Sequence, residues 1–435
     1  MTADGQPGPG TIELVRDIPL YRDSVARGHF PVLEKPEIAR DFPRNWTTPA
    51  LTAALERGEA EFVLSTGTNH ARMQIIRPPY FLLTSYYRLW SEHPEISGTW
   101  HDGCRRVSLT TVLATEHVAR VNARARETAR TGRPAPQPAV PRSAVPRGPG
   151  AARPVPSLDD RRLDERTVYL NLRLDPALWS REEVERMIAE IRAERSAHPG
   201  GRYHLDCSGP HLAHLVRKAV AWGLWADFPR PASVITAYEY TPVNVRRYLE
   251  SRLDCPVVDL FGSTELGYLS YSDLGGRYHP YLDRMHLELI PVAPGVNLHS
   301  LIVTSVRNPW MPLIRYRSGD LVRTADGSPD PARITRFCGR EKEVFTAPHG
   351  PVSQGDLDDC LAAASPRVFL GQLNTGDPRG PRLAYTTFDG APLDPSERTA
   401  LEKHLGELLG APCAARHRTH IPIGASGKYA WLTAG

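Results

Sequence analysis

The side chains that could do chemistry fall into five groups. The fullest is Val257-Val258-Asp259-Leu260-Phe261-Gly262-Ser263-Thr264-Glu265-Leu266-Gly267-Tyr268. An apolar run, read as a buried strand, ends in an aromatic residue, then a glycine, two hydroxyls, a carboxylate and a second glycine. Glycine lets backbone approach a ligand closely. Hydroxyls and exposed N–H groups can hold phosphate oxygens, and one carboxylate can hold Mg²⁺ beside them. Taken alone, the same residues also fit an ordinary turn after a strand.

Upstream, Phe62-Val63-Leu64 leads into Ser65-Thr66-Gly67-Thr68-Asn69-His70-Ala71-Arg72. Small hydroxyls around a glycine could clasp triphosphate oxygens, with Arg72 adding charge; a plain polar turn is the other reading. Downstream, Leu313-Ile314-Arg315-Tyr316-Arg317-Ser318-Gly319-Asp320-Leu321 places a carboxylate in what reads as a tight glycine turn. A carboxylate there can accept both hydroxyls of a ribose, although Ser-Gly-Asp is also a common hairpin turn. Phe337-Cys338-Gly339-Arg340-Glu341-Lys342 and the closing Gly424-Ala425-Ser426-Gly427-Lys428 complete the set. Lys428, in a Gly/Ser loop, reads on its own as a solvated cation.

Those groups need elements to carry them. Residues 49–58 have helical periodicity that Gly58 would stop, and Tyr80–Trp90 reads as a mostly buried helix, packing in a core or touching a substrate. Ser180-Arg181-Glu182-Glu183 is a capping box ahead of Val184, Met187, Ile188 and Ile191. A strand is expected at 167–172, strands running into turns at 203–210 and 232–239, and a strand at 257–261, alternating with the capped helix that Gly200-Gly201 ends and with helices at 211–224 and 242–253. That alternation implies a mostly parallel sheet whose ligands collect at the carboxyl ends of its strands. Beyond residue 268 the pattern turns β-rich. The last 90 or so residues read as a small α+β domain, with helices near 354–364 and 396–409.

The totals set limits. A chain of 435 residues exceeds one ordinary core, and 41% hydrophobic with 23% charged residues is a globular composition. A net charge of +4 is small for this length and gives no sign of a nucleic-acid partner. Of 53 basic residues only Lys35, Lys218, Lys342, Lys403 and Lys428 are lysine, so each can be questioned individually. The six cysteines are scattered without ligand spacing and read as buried small hydrophobes in a reducing, cytoplasmic setting. No apolar leader or 18-residue apolar run occurs, so no membrane association is expected. Residues 1–10 read as disordered, and 124–156, rich in Pro, Arg, Ala and Gly, as a disordered or polyproline-like insertion. Its arginines fit a solvated loop or a contact to an anionic partner. Neither a Walker loop, G-x-x-x-x-G-K-[ST], nor the hydrolase elbow G-x-S-x-G is present.

In this order, the clusters Ser65–Asn69, Phe261–Gly267, Arg315–Leu321, Gly339–Lys342 and Ser426–Lys428 resemble the adenylate-forming acyl-activating superfamily. The Tyr278-His279…Asp283…Glu288 spacing is similar to its phenylacetate–CoA ligase-like branch. The resemblance runs from about residue 60 to the end and implies an α/β (α+β overall) fold. It implies an N-terminal adenylation domain at 11–338, a hinge at 339–342 pivoting at Lys342, and a C-terminal lid at 343–435. The implied chemistry joins a carboxylic acid, aryl or otherwise small, to AMP from ATP, releases pyrophosphate and passes the acyl group on. By the match, Ser65, Thr66, Gly67, Thr68, Asn69 and Arg72 would grip the outer phosphates. Thr264 would touch the α-phosphate, Glu265 would hold Mg²⁺, and Phe261, Gly262 and Ser263 would flank the nucleotide. Asp320 would take the ribose and Arg340 would add a contact. Lys428 would bridge acyl carboxylate and α-phosphate, while Phe81, His204, Ser208, Gly209, Ala237 and Tyr238 would form the acyl pocket.

His70-Ala71-Arg72-Met73 departs from the usual glycine-rich end of the phosphate loop, and Phe261 stands where tyrosine is commoner. Three functions follow: a ligase delivering the acyl group to coenzyme A, an amide-forming ligase with an amine acceptor in secondary metabolism, or a non-catalytic nucleotide-binding protein. A homodimer is one assembly the resemblance allows.

Overall fold

A computed structural model describes residues 6–64, 73–98, 103–132, 156–281, 285–378 and 380–433. The chain forms two compact units, each assembled from separated stretches. Unit 1 comprises Met1–His93, Leu260–Leu357 and Leu408–Gly410; unit 2 comprises Pro94–Asp259, Asp358–Glu407 and Ala411–Gly435.

Unit 2 is organised on parallel strands in the order Thr167–Tyr169, Arg105–Leu109, Tyr203–Cys207, Ser233–Thr236 and the start of Val257–Ser263. The crossovers are helices that the sequence caps itself. Thr111 accepts the Leu113 N–H at the start of Val112–Thr131, and Ser208 accepts from His211 at the start of Gly209–Ala221. Ser180 and Glu183 form the expected reciprocal box on Arg181–Ala197. A hydroxyl at these positions satisfies an N–H that the first turn leaves without a partner.

The two faces of this sheet differ. Val107, Leu109, Val168, Leu205, Cys207 and Val234 pack with Val184, Ile188, Leu212, Leu215 and Leu249 from the helices in one apolar core. The alternate positions carry Thr167, Arg106, Ser108, His204, Asp206 and Ser233, all buried as well. Arg106 and Asp206 form a buried ion pair, and His204 Nδ1 meets Ser233 Oγ at 2.8 Å. Unit 2 also contains a smaller sheet in the order Ala414–His417, Arg382–Thr387, Val368–Asn374, Leu432–Thr433. Asn244, on the helix Val243–Leu253, donates to the carbonyls of Ser365 and Val368 at 2.9 and 3.0 Å.

Unit 1 is antiparallel. Met285–Pro291, His299–Ser305, Leu313–Thr324 and Ile334–Arg340 form a four-stranded meander. The end of the 257–263 strand turns back into Gly267–Ser272, which pairs with Tyr278–Pro280. Glu61–Leu64 pairs with Gln74–Arg77, and the helix Phe81–Glu92 follows, burying Phe81, Tyr86 and Trp90.

Three expectations change. Residues 6–10 are ordered: Gln6 exchanges two hydrogen bonds with the Phe30 backbone, and Pro9 opens the helix Pro9–Val15. The insertion does not begin at 124, because the helix continues through Arg124 to Thr131 and stops at the left-handed Gly132. The arginines of 124–131 are good helix formers; residues 133–155 lie outside the described residues. Asp320 does not sit in a turn but within the long 313–324 strand, at a bulge. Gly319, at φ +75°, absorbs the irregularity without ending the strand.

Removing one partner of a buried ion pair leaves an uncompensated charge. Asp206→Ala should therefore cost about 3–5 kcal/mol in chemical denaturation, while Arg106→Met with Asp206→Leu should recover most of it. A loss of under about 1 kcal/mol for the single variant would show that the pair carries no such constraint.

Candidate functional site

The 257–263 strand ends at Ser263, whose Oγ accepts the Leu266 N–H at 3.3 Å and closes the turn through Thr264 and Glu265. Gly262 is required by contact. A Cβ there would lie 2.4 Å from the Gly267 carbonyl oxygen and 2.7 Å from Tyr268 Cα. This tight hairpin presents Glu265 inward. Its side chain is buried, and Oε1 accepts the Tyr316 hydroxyl at 3.1 Å. Burial and the Glu265 charge push the Tyr316 phenol well above its ordinary range, so it stays a donor.

Tyr316, Ser318 and Asp320 are buried on one strand and alternate with partly exposed Arg315, Arg317 and Gly319. Asp320 is paired in register with Arg340 on the neighbouring strand, and the two side chains form an ion pair. The Asp320 carboxylate, and to a lesser degree Glu265 and Tyr316, raise the affinity of Arg340 for its proton despite burial. Gly319 beside it has a φ of +75°, a conformation that favours glycine. Glu265, Tyr316, Asp320 and Arg340 thus form one electrostatic cluster.

Three aromatic rings belong to the same unit. Phe261 stacks on Phe337 at 3.5 Å between centroids, and Tyr278 meets Phe337 edge-on at 4.8 Å. Arg315, at φ +49°, is held by Glu288 and by the Phe30 carbonyl, which fixes the start of the strand. Lys342 lies in the 3₁₀ turn Glu341–Glu343; partial burial, then Arg340 and Lys35, lower its proton affinity. Phe81 is buried at the first turn of its helix.

The remaining expected residues belong to unit 2. His204 is buried within its strand, and Ser208 leaves the carboxyl end of the same strand. Gly209 opens the next helix, where a Cβ would meet Thr241 at 2.6 Å. Ala237 is buried, and Tyr238, at φ +76°, donates to Asp206 at 3.2 Å. Lys428 is half-buried in a turn closed by Gly427 N–H to Gly424 O and Gly424 N–H to Lys428 O, both 2.9 Å. Ser65, Thr66, Gly67, Thr68, Asn69 and Arg72 lie outside the described residues, as does Asp283; the strands flanking the first group pair, Leu64 with Gln74.

Sequence reading missed Tyr316 as the donor to Glu265 and Phe337 as the ring on Phe261. Their partners lie 51 and 76 positions away, and neither has a local signal. Among the described residues no group of three potential metal ligands occurs. One buried carboxylate beside phosphate oxygens is nevertheless what Mg²⁺ asks of a protein, and Glu265 fits that need.

No protein-family model matches the chain, and no curated protein matches it in sequence. Solved structures do. The chain resembles a 2-hydroxyisobutyryl-CoA ligase in its postadenylation state with a bound acyl-AMP, at 13% identity, covering 98% of this chain and 87% of that one, with a TM-score of 0.64. It also resembles an anthranilate CoA ligase in complex with anthranoyl-AMP, at 13% identity over 84% of this chain and 65% of that one, with a TM-score of 0.53. The α/β fold is therefore one that these ligases share.

Gly262→Ala should lower stability by about 1–3 kcal/mol, because the added methyl meets backbone that cannot step aside. Gly10→Ala, with nothing within 4 Å of the new methyl, should change it by under about 0.5 kcal/mol. Equal melting temperatures for the two variants would contradict the close hairpin.

Proposed function

We propose that a chain with this fold is an AMP-forming acid ligase. It activates a small carboxylic acid as acyl-AMP with release of pyrophosphate, then transfers the acyl group to coenzyme A. The observation that carries this reading is the clustering of Glu265, Tyr316, Asp320 and Arg340, drawn from three segments that the sequence motifs had singled out. The likeness to two CoA ligases supports the same reaction type.

In this reading Asp320 accepts the ribose hydroxyls while Arg340, its ion-pair partner, orients the carboxylate. Phe261, Phe337 and Tyr278 offer ring faces and edges to adenine. Thr264 donates to the α-phosphate. Glu265, held by the Tyr316 hydroxyl, would hold Mg²⁺, which supplies neutralisation of phosphate charge. Lys428 contributes a compact cation to the attacking carboxylate and the α-phosphate. Little covalent work falls to the protein, so positioning and charge carry most of the rate. Lys342 serves as the pivot of the 343–435 segment, and Ser208, Gly209, Ala237 and Tyr238 line the acid's side of the reaction. An amine acceptor is the alternative second half-reaction.

Purified protein with ATP, Mg²⁺ and a panel of aryl and alkyl acids should form AMP and pyrophosphate, and hydroxylamine should trap the acyl adenylate. ADP as product would refute the mechanism. Lys428→Ala should slow acyl-AMP formation by at least about 100-fold, with ATP affinity within a few-fold. Asp320→Ala should weaken ATP binding by about 10- to 150-fold, the worth of one charge-assisted contact; unchanged ATP affinity in calorimetry would remove Asp320 from the ribose site.

A further inference from the structure

Lys428 is fixed by its two neighbours. On one side Gly427, at φ +74°, packs so closely on Thr111 that a Cβ would lie 2.0 Å from Thr111 Oγ1. On the other, the Tyr429 N–H donates to Glu239 Oε2 at 3.1 Å. Thr111 follows the 105–109 strand, and Glu239 follows the 233–236 strand. The lysine loop of unit 2 is therefore tied to the exits of parallel strands, where such sheets collect their ligands.

Glu239 is itself built into place. Tyr238 before it takes a left-handed backbone, unfavourable for a residue with a β-carbon, and its hydroxyl is held by Asp206. The Glu239 N–H returns to the Ala237 carbonyl at 3.0 Å. Its Oε1 is hydrogen-bonded by the Ser208 hydroxyl, and His211 Nδ1 lies 3.3 Å from the same oxygen and 2.8 Å from Ser208 Oγ. The side chain is 6% exposed. One carboxylate oxygen is thus anchored to the sheet and helix, and the other is left for the backbone of the lysine loop. Tyr429 has a second tether, its hydroxyl 3.0 Å from His214 Nε2, an imidazole that burial keeps uncharged.

We infer that Glu239 is a positioning residue: through the Tyr429 amide it sets where the Lys428 ammonium stands when acyl-AMP forms. The inference rests on the adenylating role proposed above for Lys428. It assigns to Glu239 no contact with substrate, so its loss acts on turnover rather than on nucleotide affinity. An interaction felt only when the reacting groups are aligned lowers kcat and leaves KM in place.

The test pairs a rate with a structural readout. ATP–pyrophosphate exchange and amide hydrogen exchange over residues 424–430 are measured on the wild type, Glu239→Ala, Glu239→Asp and Glu239→Gln. Alanine and the shortened aspartate should lower kcat about 10- to 100-fold, hold KM for ATP within about twofold, and speed exchange of the Tyr429 amide. Glutamine keeps an oxygen for that amide and should restore most of both. Aspartate serves as the milder variant should alanine fail to fold. Wild-type kcat in the alanine and aspartate variants, a defect confined to KM, or unchanged protection of the loop would each overturn the role. A wild type that exchanges no pyrophosphate with any acid would refute the ligase reading and the positioning role with it. Amide exchange would then still show whether Glu239 holds the loop.

Discussion

Asp320 and Arg340 meet across two neighbouring strands, and the buried polar cluster of unit 1 depends on that pair. A carboxylate with little solvent around it is tolerable only with a partner, and the partner reaches it because both strands bend at glycine. Gly319 and Gly339 have φ of +75° and +95°, a conformation that residues with a β-carbon rarely adopt, and at Gly339 a Cβ would also lie 2.7 Å from Gln354 Cβ. The bulge that this creates turns Asp320 inward without breaking the ladder. Two and four residues earlier, the same strand contributes Ser318 to the Asp320 amide and Tyr316 to Glu265. One strand therefore orients both carboxylates.

Unit 2 meets a different constraint with a parallel sheet. Its helices bury one apolar face, so the opposite face is free to carry charge and hydroxyls, and it does so within the interior. Arg106, Asp206 and Tyr238 form a connected set there. The carboxyl ends of the strands carry Thr111, Ser208 and Glu239, two of them helix caps as well. Cap hydroxyls are already needed by the first turns of these helices; Ser208 also donates to Glu239, which ties helix geometry to the lysine loop.

The elements were legible where local rules act alone. The capping box at Ser180 and Glu183, the stop after Glu56 and the β-strands at 203–207 and 368–374 all follow from propensity and period. Composition misled where it averaged over unlike residues. The Pro, Arg, Ala and Gly content of 124–156 masks the fact that Arg124–Thr131 by itself favours helix. The glycines misled differently: Gly319 and Gly262 looked like turn formers, yet both lie inside strands. A glycine at a bulge and a glycine in a turn have the same local sequence, and only the neighbouring strand distinguishes them.

The sequence marks Glu265, Asp320, Arg340 and Lys428 as candidates through their residue types, their immediate neighbours and the order of their motifs. It does not mark which groups restrain them. Tyr316 beside Glu265, Phe337 on Phe261 and Glu239 at the Tyr429 amide are pairs separated by 51, 76 and 190 positions. Such pairs arise from strand register and close packing, properties of the folded chain as a whole that leave no periodic mark in either partner's segment.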